Sequence, residues 1–291
     1  MKKKEVMKMK ILIDPGHYSG YNKSPVYSAY CEGDRMWKLA NYLRDALKAK
    51  GFVVGCTKSA ANDYPKNNGK DDVYKRGAMA AGYDLFISLH SNACNTESVN
   101  RAVIIHPMNG KSIAIANKLG ACVKSTMNLS SYQLMQRDYN TGAYYYDGKA
   151  HDGRDYYGVI RGSVAKGVPG IIIEHGFHTN TAVAKWLMSD SNLKKLAEAE
   201  AKTLAEYYKT VPTSPNEPGH YYIQAGAFAS SDNADKFVTK VRALGFPVVT
   251  KKTGTYFKVY IGGYTDKANA SAALSKLKAS GISGYIVMLD D

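Results

Sequence analysis

Up to residue 208, short apolar runs alternate with longer stretches in which apolar residues recur every three or four positions. Met9 to Ile13, Phe52 to Cys56, Asp84 to Leu89, Arg101 to His106 and Gly170 to Ile173 are apolar runs bounded by turn residues, the pattern of buried strands. Met36, Ala40, Leu43 and Leu47 mark one face of a helix, Ile113 to Val123 a second, and Thr181 to Tyr208 a third helical region. Strands alternating with helices predict an α/β domain, its mostly parallel sheet flanked by helices.

The pattern breaks at residues 209–219, where prolines gather among small polar residues. Proline neither continues a helix nor joins a central strand, so this stretch is read as a linker between a domain at 1–208 and a second at 220–291. Beyond it Gly226, Phe228, Ala234, Val241 and Gly245 recur as Gly262, Tyr264, Ala270, Leu277 and Gly281, each 36 residues later (262 − 226 and so on). Each half reads strand, helix, strand, which predicts a small ferredoxin-like βαββαβ domain.

Composition changes this picture little. The 291 residues, 45% hydrophobic and 22% charged, suit one large or two smaller globular domains. A formal net charge of +14 points to a polyanionic setting, whether nucleic acid, an anionic membrane surface or an acidic cell wall. No apolar run reaches the 18 or so residues of a membrane-spanning helix. The opening MKKKEVMKMK is basic but is not followed by the apolar region of a signal peptide, so synthesis in the cytoplasm without a signal peptide is expected. Cys31, Cys56, Cys94 and Cys122 show no CxxC spacing and read as reduced thiols.

The chemistry gathers at strand ends. Ligands of open α/β sheets bind beyond the carboxyl ends of the strands. There Ile11 to Ile13 runs into Asp14-Pro15-Gly16-His17, Leu85 to Leu89 into His90, and Ile171 to Ile173 into Glu174. Glu32 opens the first helix, where a carboxylate suits the helix dipole. Two imidazoles and a carboxylate with one open position form a catalytic zinc pattern, so His17, Glu32 and His90 are the expected Zn²⁺ ligands. A hydrolase of that kind also needs a base, and Glu174 is placed for it; a dication and a reaction proton would offset the burial of its charge. Taken singly, each of these residues has a structural explanation, and only their joint occurrence makes the site. His106, His151, His175, His178 and His220 are read as structural, with His178 close enough to Glu174 in sequence to support it. The tyrosines at 144–146 and 156–157 suit either half-exposed packing or stacking on sugar rings.

DPGH at 14–17, YCEGDRMWKLANYL at 30–43, DLFISLHSN at 84–92 and YGVIRGSVAKGVPGIIIEHGFHTN at 157–180 together resemble the zinc-dependent N-acetylmuramoyl-L-alanine amidases of clostridial and phage endolysins and bacterial autolysins. The resemblance implies hydrolysis of the amide between N-acetylmuramic acid and L-alanine in peptidoglycan. It carries the zinc ligands onto His17, Glu32 and His90 and the catalytic glutamate onto Glu174. Tyr18 to Cys31 departs from the acidic, glycine-rich form common in the autolysins, which leaves the local substrate contacts open. YYIQAGAF at 221–228, VYIGGY at 259–264 and YIVML at 285–289 resemble the sporulation-related repeat (SPOR) domain, implying binding to peptidoglycan glycan strands; Gln224, Phe228, Tyr256 and Tyr264 are the candidate contacts.

Three other readings stand beside this one. A zinc peptidase would use the same ligands on a bond inside the stem peptide. A wall-binding protein with a structural metal would have no use for Glu174. A nucleic-acid binder would explain the charge, but Tyr256 to Tyr260 lacks the glycine and aromatic pattern of RNA-binding sheets, so no nucleic-acid partner and no membrane insertion are expected. Such an enzyme reaches the wall once the membrane is breached, either as an endolysin released through a holin or as an autolysin acting at mother-cell lysis.

Overall fold

The computed structural model describes residues 9–67, 70–210, 220–244, 246–264 and 267–289. The expected linker lies outside them apart from its first two residues, as does the repeat position Gly245. The chain divides after Ala205 into two compact units, each taken here by itself.

The first unit runs β1 (Lys10–Pro15), α1 (Glu32–Ala49), β2 (Val53–Cys56), the short ladder of β3 (Lys66–Asn67) and β4 (Lys70–Asp71), α2 (Val73–Ala78), β5 (Leu85–Asn92) and β6 (Arg101–Ile105). It continues with α3 (Ile113–Met127), β7 (Ser131–Arg137), β8 (Tyr144–Tyr145), α4 (Gly158–Ala165), β9 (Gly170–Phe177), α5 (Thr181–Met188) and α6 (Asp190–Thr210). The main sheet has the order β2-β1-β5-β9-β6-β7-β8. β2, β1, β5 and β9 are mutually parallel, and β6 and β7 are parallel to each other, but β6 meets β9 antiparallel. Leu12, Phe86 and Ile172 face the core that includes Val159 and Ile160 of α4, while Ile11, Ile13, Ile87, Ile171 and Ile173 on the opposite face are also fully buried. A sheet covered on both faces reads as continuous apolar runs, which is why these strands were visible in the sequence.

Three differences from expectation have local causes. β5 and β9 extend past Leu89 and Ile173, so His90 and Glu174 lie inside strands rather than just beyond them. The helical region from Thr181 breaks at Ser189, whose extended backbone separates α5 from α6, and Asn180 caps α5 through its Oδ1, which accepts from the Val183 N–H at 3.1 Å. α2 and α4 are only 6 and 8 residues long, too short to show a helical period of their own.

The second unit runs β10 (His220–Phe228), α7 (Ser231–Ala243), β11 (Val248–Thr253), β12 (Tyr256–Tyr264), α8 (Lys267–Ala279) and β13 (Tyr285–Leu289), in the sheet order β11-β12-β10-β13 with every pairing antiparallel. This is the expected βαββαβ arrangement. Ile223, Val259 and Ile261 of the sheet share one core with Ala234, Val238 and Val241 of α7 and Ala270, Ala273 and Leu277 of α8, which places both helices on one face. Of the candidate glycan contacts, Phe228 packs against this core and Tyr264 is buried in it, its hydroxyl pushed by burial to a pKa of about 12. Ala225 is an extra residue on β10 and Gly263 one on β12, and each such shift reverses which side chains face inward. Gln224 is half-buried and Tyr256 is exposed.

Beyond the end of β6, His106 is buried and its Nδ1 lies 3.2 Å from the Pro107 carbonyl oxygen. Burial pulls its pKa from the ordinary 6.5 down to about 4. Between those values the unfolded chain binds a proton that the folded chain does not, so stability falls as pH drops below 6.5 and the loss is complete near pH 4, amounting to roughly 3 kcal/mol. Urea unfolding midpoints measured from pH 7 to pH 4 should therefore fall less steeply in His106→Gln than in the parent.

Candidate metal centre

β1, β5 and β9 are neighbours in the sheet, and each brings a polar group to one end of it. His17 follows β1 with φ of 58°, a left-handed conformation unusual for a residue with a side chain and of the kind found where function fixes the backbone. Gly16 before it leaves room for His90, since a Cβ there would fall 2.4 Å from the His90 Cε1. His90 and Glu174 are register partners on parallel strands, so their side chains project from the same face. Just beyond them β9 spends three residues where β5 spends two, a bulge carried by Gly176 at φ of 81°.

Glu32 comes from the first turn of α1 and is 1% exposed. Its Oε1 lies 3.0 Å from the His90 Nδ1 and accepts from the Ser91 N–H at 3.0 Å. Its Oε2 lies 3.4 Å from the His17 Nε2 and accepts a short hydrogen bond from the Asn22 side-chain amide. Burial acts to raise the Glu32 pKa, but hydrogen bonds with His17 and His90 outweigh it and hold the carboxyl far below the usual range. At His90 burial dominates and lowers the pKa, which favours the neutral imidazole, the form that binds metals. One donor atom from each of His17, Glu32 and His90 lies within 4.8 Å of the others, so the structure gathers the three expected ligands.

Glu174 stands apart from that trio, with an Oε2 that is buried and has no hydrogen-bond partner. Burial, reinforced by the charge of Glu32, raises its pKa well above the ordinary glutamate value. A buried carboxyl with an unused oxygen, in register with His90 and within reach of the Glu32 charge, can accept a proton and give it back.

Several supporting groups were not legible in the sequence. Asp14 is fully buried, 3.1 Å from the Arg76 Nε, and accepts from Thr57 Oγ1 at 2.6 Å and Ser88 Oγ at 2.7 Å. Burial acts to raise its pKa, and Arg76 with the two hydroxyls more than reverses this. His175, buried on the opposite face from Glu174, donates from Nδ1 to the His90 carbonyl at 2.9 Å and meets Glu200 Oε1 at 2.8 Å through Nε2. His178 contacts Ser91 through Nδ1 and stacks on Tyr30 at 5.5 Å, so it braces β5, whereas its sequence position suggests support for Glu174. His151 pairs with Asp147 away from the cluster. None of the four cysteines forms a disulfide.

A protein-family profile described as N-acetylmuramoyl-L-alanine amidase matches residues 11–206, and one described as SPOR domain matches residues 217–287. No curated protein matches the chain. Among solved structures, Cwp6 from Clostridium difficile superposes with a TM-score of 0.54 at 18% identity, covering 68% of this chain but only 29% of that one. An N-acetylmuramoyl-L-alanine amidase from Clostridium difficile 630 gives 0.52 at 19% identity, over 69% of this chain and 96% of the other. The catalytic domain of CwlV, an N-acetylmuramoyl-L-alanine amidase from Bacillus (Paenibacillus) polymyxa var. colistinus, gives 0.51 at 17% over 68% and 97%. At such identities these structures share the fold of the first unit. No helix among the described residues is long and apolar enough to cross a membrane.

The Asp14–Arg76 pair yields a stability test. Removing one partner of a buried pair leaves an uncompensated charge, so Arg76→Met should cost about 3–5 kcal/mol. Thr57→Val, which removes one hydrogen bond to the same carboxylate, should cost about 1–3 kcal/mol. Urea unfolding of both variants checks the order.

Proposed function

The chain belongs to the N-acetylmuramoyl-L-alanine amidase family and carries a SPOR domain, and we propose that it cuts the amide between N-acetylmuramic acid and L-alanine with zinc held by His17, Glu32 and His90 and with Glu174 as the general base. The observation that carries this reading is the convergence of two imidazoles and one carboxylate within 4.8 Å, with Glu174 in register beside His90. The donor set fits the metal, since two nitrogens and one oxygen without thiolates is the composition of catalytic rather than structural zinc sites. Bound there, zinc would supply Lewis acidity to the amide oxygen and to water, and a positive charge beside the buried Glu174 carboxylate.

The remaining work falls to the protein. Glu174 Oε2, free of other partners, takes a proton from the attacking water and returns it to the alanine nitrogen as the bond to the lactyl carbonyl breaks. Asn22, Ser91 and the helix start fix Glu32, and His175 fixes the strand carbonyl at His90. The SPOR domain on this reading holds the glycan strand, with Gln224 and Tyr256 as its candidate contacts. The place of action is then the cell wall, reached after the membrane is breached.

Incubation with isolated peptidoglycan should release new N-terminal L-alanine, read by amine labelling and mass spectrometry; termini inside the stem peptide instead would make the enzyme a peptidase. Glu174→Gln should keep its zinc yet lose roughly a hundredfold to ten-thousandfold in turnover, because an amide cannot carry the proton. His90→Ala should lose zinc as well as activity, and stoichiometric metal retained in that variant would refute the ligand set.

A further inference from the structure

The segment between His17 and Glu32, where the chain departs from the autolysin pattern, builds a row of rings that the reaction itself does not use. Tyr64 stacks on Tyr18 at 5.5 Å, Tyr18 meets Tyr21 at 4.7 Å, Tyr21 stacks on His17 at 4.8 Å, and His17 meets His90 at 4.9 Å. The row therefore starts at the metal-ligand cluster and leads away from it. Tyr21 remains 43% exposed, so the row is not there to fill the core.

The loop that carries it is fixed at several points. Asp34 accepts from the Ser19 hydroxyl at 2.6 Å and from the Gly20 N–H at 3.2 Å, and Asn62 accepts from the Ser19 N–H at 2.9 Å. The carbonyls of Tyr21 and Asn22 accept from the first helical N–H groups of α1, at Gly33 and Glu32, in place of a side-chain cap. Pre-ordered aromatic rings with an open flank are the ordinary means of holding a pyranose, whose axial C–H faces are apolar and whose rim is hydroxylated.

The other exposed aromatic group in this unit is built differently. Arg137 lies over the rings of Tyr144 and Tyr156, and Arg154 and Arg161 both lie over Tyr139. Those faces are covered by guanidinium groups, and the group touches neither His17 nor His90; in the row at His17 cations lie over the outermost ring, Tyr64, where the Lys58 and Lys66 ammoniums are 5.8 and 5.4 Å from its centroid.

We propose that Tyr18, Tyr21 and Tyr64 form the subsite for the muramoyl sugar ring on the glycan side of the scissile amide, an assignment that rests on the amidase reading above. The amide carbonyl belongs to a lactyl group joined directly to that ring, so a substrate whose carbonyl lies at His17 and His90 puts its pyranose within reach of Tyr21. The stem peptide then leaves on the other side.

Two soluble substrates test this with the full chain, N-acetylmuramoyl-L-alanyl-D-isoglutamine and its sugar-free counterpart lactoyl-L-alanyl-D-isoglutamine. Tyr21→Ala and Tyr64→Ala should each lower kcat/KM on the sugar-bearing compound by roughly tenfold, chiefly through KM, and reduce it much less on the sugar-free one. Tyr21→Trp should preserve the preference. Equal losses on both substrates would mean that Tyr21 merely props His17, and an unaltered preference in Tyr64→Ala, whose ring does not touch His17, would overturn the subsite. Hydroxyl-radical footprinting with free N-acetylmuramic acid separates this from the reaction. Protection of Tyr18, Tyr21 and Tyr64 in a chain that cuts neither compound would keep the subsite and discard the amidase reading, whereas no protection in a chain that does cut would discard the subsite alone.

Discussion

The first unit is organised around a carboxylate that has almost no access to water. Glu32 is 1% exposed, and an ionised side chain at such a position is tolerable only when its oxygens are fully engaged. They are: two imidazoles, one backbone N–H and one side-chain amide converge on them, and the N-terminus of α1 adds its dipole. His17 and Asn22 come from the loop after β1 and His90 and Ser91 from β5, so satisfying Glu32 also settles where the β1 end, the α1 start and β5 must lie relative to one another. The positive φ values at His17 and Asn22 are what that convergence demands of the backbone.

A second buried carboxylate repeats the logic one layer further into the sheet. Asp14 is paired with Ser88 in register and points to the same face as His90 and Glu174, where Arg76 reaches it from α2. The short helix α2 thus has a definite task, since it delivers the cation that lets the strand before His17 end in an acid. Glu174 is the carboxylate left without such provision. Its free oxygen and raised pKa set it apart from Asp14 and Glu32.

What the sequence disclosed follows from which signals are local. Strands buried on both faces announce themselves as apolar runs, and amphipathic α1 announces itself by its period, so the layer order was readable. His17, Glu32, His90 and Glu174 were readable because each lies close after an apolar run or opens the amphipathic helix, although β5 and β9 run on past His90 and Glu174. Pairings at long separation were not. His175 with Glu200 and Asp14 with Arg76 join residues 25 and 62 positions apart, and only the fold brings them together. Short α2 and α4 left no period, and β7 hid among polar residues because only part of it is buried.

The second unit shows why a repeated residue can mark packing rather than binding. Phe228 and Tyr264 are the same position in the two halves, and each ring folds back over the glycine two residues before it. A Cβ on Gly226 would come within 2.6 Å of the Phe228 ring, and one on Gly262 within 2.3 Å of the Tyr264 ring. The spacing recurs because both halves solve the same steric problem, covering a bare stretch of strand with an aromatic ring next to a bulge. Tyr256 and Tyr285, 51% and 58% exposed, correspond across the 36-residue offset to His220 and Val249. Exposure in this sheet thus falls on positions outside the internal repeat, while the repeated aromatics serve packing.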